Sequence, residues 1–122
     1  MTASLTSLTR LDRALSEAIK AKGSYRLGAL VIRGGSILGT GHNVTKNNPA
    51  NTGSNWSVHA EVSALRGIDA THATLYVARI TLGGIVAMAR PCPACMVAIR
   101  AAGVNKIVHT TATGAVTVRL AY

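Results

Sequence analysis

His59 and Glu61, two positions apart, and Cys92 and Cys95, three apart, are the side chains of this 122-residue sequence whose types and spacing can do chemistry. Imidazole and thiolate are the ligands that Zn²⁺ favours, and a catalytic zinc site keeps three protein ligands and leaves the fourth position to water. His59, Cys92 and Cys95 make three. Glu61 is then an uncoordinated carboxylate, available to move protons between water and a substrate nitrogen. The chemistry that follows is metal-assisted hydrolysis of a carbon–nitrogen bond, with Zn²⁺ as cofactor.

A C-x-x-C pair has other uses. Alone it is a redox couple or half of a structural zinc knuckle. The knuckle needs a fourth ligand from His42, His72 or His109, none at C-x-x-C or H-x-x-x-H spacing to the others. A redox pair of the thioredoxin type is expected near the start of its domain and leaves His59-x-Glu61 without a purpose. A zinc-stabilised binding module without catalysis is a third possibility, against which the carboxylate at Glu61 argues.

The elements that position these residues can be read from periodicity and punctuation. Leu8, Leu11, Leu15 and Ile19 recur at helical spacing, Thr9 and Asp12 resemble a capping box, and Gly23 ends the helix. Leu27 to Ile32 and Ile37 to Gly41 are strand-like runs joined by a tight turn at Gly34-Gly35. A polar loop, Asn43 to Trp56, leads to a helix capped by Ser57, running from Val58 to Arg66 and stopping at Gly67. Ala73 to Ile80 is a strand, Thr81 to Arg90 a loop, and Pro91 or Pro93 opens a helix ending at Gly103. Asn105 to Thr110 and Val116 to Leu120 are the last strands. The order predicts one α/β domain over residues 1–122, a three-layer α-β-α sandwich around a five-stranded mixed sheet. Both metal-bearing helices follow strands through polar loops, so their first turns converge at one end of the sheet, where ligands bind in α/β folds.

Composition bounds the rest. Hydrophobic residues make up 48% and phenylalanine is absent, so the core is aliphatic. No apolar run approaches 18 residues and Met1 to Ser7 lacks the order of a signal peptide, which predicts a cytoplasmic protein whose two cysteines stay reduced. Thirteen Lys and Arg against four Asp and Glu give a formal charge of +9, unchanged by a zinc ion held by two thiolates. An anionic partner is expected. The basic residues are scattered and aromatics are only 3%, which favours a small nucleotide over a single strand needing stacking platforms. A domain this small with short loops also predicts a homo-oligomer.

His59-Ala60-Glu61, Pro91-Cys92 to Cys95, the strand Leu75-Tyr76-Val77 and Gly41-His42-Asn43 together resemble the cytidine deaminase superfamily, in an order that covers nearly the whole chain. The G-H-N-x-x-K and A-R-P-C-P-A-C segments are similar to those of small nucleotide-type deaminases of bacteria and their phages. The resemblance implies the cytidine deaminase-like fold, with Glu61 catalytic, His59, Cys92 and Cys95 holding the metal, and a cytosine-bearing nucleoside or nucleotide losing ammonia. It implies that Asn43 reaches base or sugar, although an asparagine there is equally an Asx-turn residue. Trp56, three before His59, is a candidate to stack on a base or to anchor the core. Lys46 and Arg90 stand in the two loops expected to rim the site and are candidates for a phosphate, or are solvated charges; His42 reads as structural. Past the fourth strand the chain has room only for a returning strand, an ending closer to small oligomeric cytidine deaminases than to the deoxycytidylate type. A deaminase acting on single-stranded DNA or RNA is the runner-up, supported by the charge.

Overall fold

The computed structural model describes residues 5–21, 26–47 and 55–120, and the side chains of these except at 5–7, 45–47 and 55–58. Its elements in chain order are α1 (Leu5–Ala18), β1 (Arg26–Arg33), β2 (Ser36–His42), β3 (Val44–Asn47), β4 (Asn55–Val58), α2 (Ala60–Leu65), β5 (Thr74–Ile80), β6 (Val86–Ala87), α3 (Pro93–Ala101), β7 (Lys106–Thr111) and β8 (Gly114–Arg119). The main sheet runs β2-β1-β5-β7-β8, with the short β6 on β5, and only β5 and β7 are parallel. This is the expected five-stranded mixed sheet, with one short strand added.

Alternation along the strands builds three layers. Leu30 and Ile32 of β1, Tyr76 and Ala78 of β5 and Val108 of β7 face α1, where Leu11 and Ala14 cover them. Ala29 and Val31, Leu75 and Val77, and Ile107 point the other way, under Ala60, Ala64 and Leu65 of α2 and Cys95 and Ile99 of α3. Burial on both faces is why β1 and β5 read as continuous apolar runs.

Gly34 and Gly35 both have positive φ, +59° and +84°, as a type I′ hairpin turn requires. Past this turn the pairing of β2 with β1 slips by one residue. Ile32 faces Ile37, but Val31 faces Gly39 and Ala29 faces Gly41, so Leu38 is extra. The bulge decides which face β2 presents. Without it Gly39 and Gly41 would point toward α1; with it they lie under α2. A side chain at Gly41 would put Cβ 2.7 Å from the Ala64 nitrogen and 2.8 Å from the Ala60 oxygen. The missing side chains let the backbone of α2 rest directly on β2.

Three expectations need correction. Helix α1 starts at Leu5, so Thr9 and Asp12 lie in its body and form no capping box. Its buried stripe is Leu11, Ala14 and Ala18, with Leu8 and Ile19 exposed, because the helix backbone comes close to Gly28 and only small residues fit between. Gly23 lies outside the described residues. The segment expected as a loop before the zinc helix contains a two-stranded ribbon, β3 with β4, pairing Lys46 with Trp56 and Thr45 with Ser57. Ser57 is therefore in a strand and does not cap α2, which starts at Ala60. Among the described residues no helix is long and apolar enough to cross a membrane.

Candidate metal centre

Strands β2 and β5 both run antiparallel to β1, so they leave the sheet at the same edge. The segments leaving that edge lead to α2 and α3, whose N-termini meet there. His59 is the N-cap residue of α2 and Cys92 that of α3, each with extended backbone (φ −71° in both) and no side-chain capping bond. Their carbonyls accept the first helical bonds, from Ser63 (3.0 Å) and Met96 (2.9 Å). The ligand atoms are thus spared for another partner. Pro93 follows Cys92 at the first helical position, where its fixed φ suits the turn and no amide is needed.

Cys95, one turn into α3, is buried and places Sγ 2.9 Å from His59 Nδ1; Cys92 Sγ is 3.8 Å from the same nitrogen. All three donor atoms lie within 4.8 Å of one another. Tetrahedral zinc with bonds of about 2.0–2.3 Å spaces its donors by about 3.5–3.8 Å, which these separations bracket. His42, His72 and His109 are not part of this group, so the fourth ligand of a structural knuckle is missing among the described residues. His42 instead lies 3.9 Å from Glu17.

Glu61 stands in the first turn of α2, 2% exposed, and its Oε1 has no hydrogen-bond partner. A buried polar atom without a partner is rare and costly unless something absent from the chain completes it. Burial pushes the Glu61 carboxyl above its usual range, opposed by its own backbone, by the nearby His59 and by Cys95. Burial likewise pushes the Cys95 thiol up, reinforced by the charge of Glu61. A divalent cation among the donors reverses both effects, because it stabilises thiolate and carboxylate alike. The donor set and the orphaned carboxylate oxygen fit a zinc ion.

The other candidate residues are dispersed. Asn43 Oδ1 accepts from the Leu27 amide at 2.7 Å, and the Asn43 amide returns a bond to the Leu27 carbonyl at 3.2 Å, so this side chain holds the end of β2 to β1. Arg90 is exposed two residues before Cys92 and lines a cavity with Pro91, Met96, Ile107, His109 and Val118, on the β8 side of α3. Lys46 and Trp56 face each other across the ribbon before α2, but their side chains lie outside those described. Sequence reasoning missed Thr110. Its hydroxyl donates to the Ala87 carbonyl (2.7 Å) and accepts from the Arg79 amide (3.1 Å), and its carbonyl takes the Ala89 amide (3.0 Å). These bonds anchor the segment that delivers Cys92. A threonine near a strand end gives no signal of such a role.

Comparison with known proteins gives the same fold. A phage enzyme, the dCMP deaminase of cyanophage S-TIM5, superposes with a TM-score of 0.63 at 23% identity, over 90% of this chain and 86% of that one. Another structure of it is a complex with dCMP and dUMP. The cytidine deaminase of Burkholderia pseudomallei superposes at 0.66 with 18% identity, over 96% and 93% of the two chains. A tRNA(Ile)-lysidine synthase of Deinococcus deserti is 35% identical over 106 residues, 81% of this chain; the match spans only 18% of that relative's length. The model of the cytidine and deoxycytidylate deaminase zinc-binding region matches residues 5–111, a span that takes in both helix N-termini and every donor described above, and the chain belongs to that family.

Proposed function

We propose that this protein is a zinc-dependent hydrolase that removes ammonia from a cytosine-bearing nucleoside or nucleotide. The observation that carries the reading is the buried, unpartnered Oε1 of Glu61 beside the three-donor cluster. Zinc held by His59, Cys92 and Cys95 would supply a Lewis acid that lowers the pKa of water toward about 7. Glu61 takes one water proton and passes it to the ring nitrogen next to the amine-bearing carbon, then takes the second from the hydroxyl newly bound to that carbon and gives it to the departing amine. The oxygen of water stays on the carbon and ammonia leaves. The closed environment of Glu61 keeps that proton from bulk solvent.

Support for a cytosine nucleotide comes from the phage relative, seen with dCMP and dUMP, and from the charge of +9, which draws in phosphates. The same charge, with the similarity to part of a tRNA-modifying enzyme, favours a second reading: deamination within a single-stranded nucleic acid. Lys46, Arg90, Asn43 and Trp56 are proposed to contact substrate in either case. Two free cysteines suit a reducing compartment, which for this reading is the cytoplasm. Ammonia release measured on cytidine, deoxycytidine, their monophosphates and single-stranded DNA or RNA separates these readings. Turnover of a monomeric substrate supports the first and turnover of the polymer alone the second, while release from none of them overturns both.

A further inference from the structure

We propose that β8 is a docking edge for a second copy of this chain, the two strands pairing antiparallel about a two-fold axis at Thr117. The main sheet ends in two edges, β2 and β8. An edge strand presents a row of unpaired N–H and C=O groups, and proteins blunt it with bulges, prolines, inward charges or a covering element. β2 carries the bulge at Leu38. β8 has neither bulge nor proline: its register with β7 is unbroken from Thr111 and Gly114 to Lys106 and Arg119, and its one charge stands at the end. Ala115, Val116, Thr117 and Val118 are half-buried, and β7 is the only strand paired with them among the described residues.

Backbone direction fixes the register that a second copy can take. The Leu120 amide donates to the Asn105 carbonyl at 3.0 Å, and residues of an antiparallel pair alternate from there, so Val118 and Val116 turn their backbone toward β7. Ala115, Thr117 and Arg119 turn theirs outward. The Thr110 carbonyl, opposite Ala115, agrees with this parity, since it points away from β8 to the Ala89 amide. One antiparallel register satisfies all three outward residues: Thr117 opposite Thr117 of the second copy, with Ala115 opposite its Arg119 at either end. Val116 and Val118 share the face under α3, and Ala115 and Thr117 share the other. Valine then meets valine on one face and threonine meets threonine on the other, pairs that favour strand association. Val118 also lines an apolar cavity with Met96 and Ile107, and Val116 of the second copy would lie against that wall. Charge selects the same register. The two Arg119 positions lie four residues apart along the strands, about 14 Å, beyond the screening length of about 8 Å. A shift of two residues one way halves that separation, and a shift of two the other way carries Arg119 past the end of the opposite strand.

Pairing through β8 is independent of deaminase activity, so either can fail without the other. Light scattering of the zinc-loaded full chain at micromolar concentration is expected to give twice 12.6 kDa, or a larger even multiple. Thr117→Lys, which sets two ammonium groups opposite each other at the axis, is expected to halve that mass. The Ala115, Thr117 and Arg119 amides are expected to exchange with solvent more slowly as protein concentration rises, in the parent and not in Thr117→Lys. A single-chain mass for the parent, an unhalved mass in folded Thr117→Lys, or exchange of these amides that ignores concentration overturns the proposal. If Thr117→Lys does not fold, Thr117→Cys decides. Directly opposed residues stand about 5.5 Å apart at Cα, within disulfide reach, so mild oxidation is expected to join two chains through Cys at this position. Absence of that cross-link overturns the register.

Discussion

At the scale of single residues, the centre separates donors that hold metal from a carboxylate that moves protons. Glu61→Gln is expected to retain one zinc per chain and to lose about 10²–10⁴-fold in turnover, as metal analysis beside a steady-state assay would show. Cys92→Ala is expected to lose the zinc; unchanged metal content there would remove Cys92 from the ligand set. The raised carboxyl of Glu61 also has a signature in stability. A carboxyl whose folded pKa lies above its unfolded value costs nothing while both states are protonated; the penalty builds as pH rises from the unfolded value and is complete above the folded one. Metal-free Glu61→Gln is therefore expected to melt above the metal-free parent at neutral pH, with the gap closing as pH falls below about 4.3. The H-x-E and C-x-x-C spacings made donors and acid legible in the sequence, because ligand chemistry restricts residue types. Burial of Glu61 and of His109 was not legible, since it depends on elements far away in the chain.

At the scale of elements, the placement of the site depends on close approach of backbones. α2 has only six residues, too few to hold its place by its own helical bonds, and it is fixed by lying on Gly39 and Gly41. Gly41→Ala is expected to cost about 1–3 kcal/mol and to lower kcat/KM by displacing His59 and Glu61 together, measured as melting temperature against activity. Thr110→Val keeps shape but removes the hydroxyl that ties β6 to β5, and is expected to raise the zinc dissociation rate more than it lowers stability. Most strands were legible because two-sided burial leaves long apolar runs with Gly at the turn. The β3–β4 ribbon was not, because its Asn, Thr, Ser and Lys have a loop's composition. The buried face of α1 was misjudged for a related reason: periodicity marks leucines, whereas the contact with Gly28 selects alanines.

At the scale of the whole molecule, charge and size govern how substrate is met. A body of 12.6 kDa carrying +9 attracts anions strongly at low ionic strength, and the attraction weakens near physiological salt, where the screening length is about 8 Å. A mononucleotide is expected to lose kcat/KM modestly with salt. A polymer is expected to lose affinity with a slope of roughly 0.7 per phosphate contact. Arg90→Ala and Lys46→Ala are expected to raise KM for the phosphorylated substrate and to leave the unphosphorylated nucleoside little changed. A light-scattering mass near 12.6 kDa at micromolar concentration would contradict the proposed homo-oligomer.

The extra residue at Leu38 imposes a counting rule on this chain. Side chains along a strand alternate with period two, so faces are a matter of odd and even. Between the Gly34-Gly35 turn and Gly39 the chain admits changes of length by two but not by one, because a single insertion or deletion turns Thr40 toward α2 and its glycines away. After His42, where the strand has ended, the count no longer matters. Variation in length is therefore expected to collect in the β3–β4 ribbon and to avoid the four residues after the turn, a pattern that a scan of single-residue deletions, scored by bound zinc, would expose.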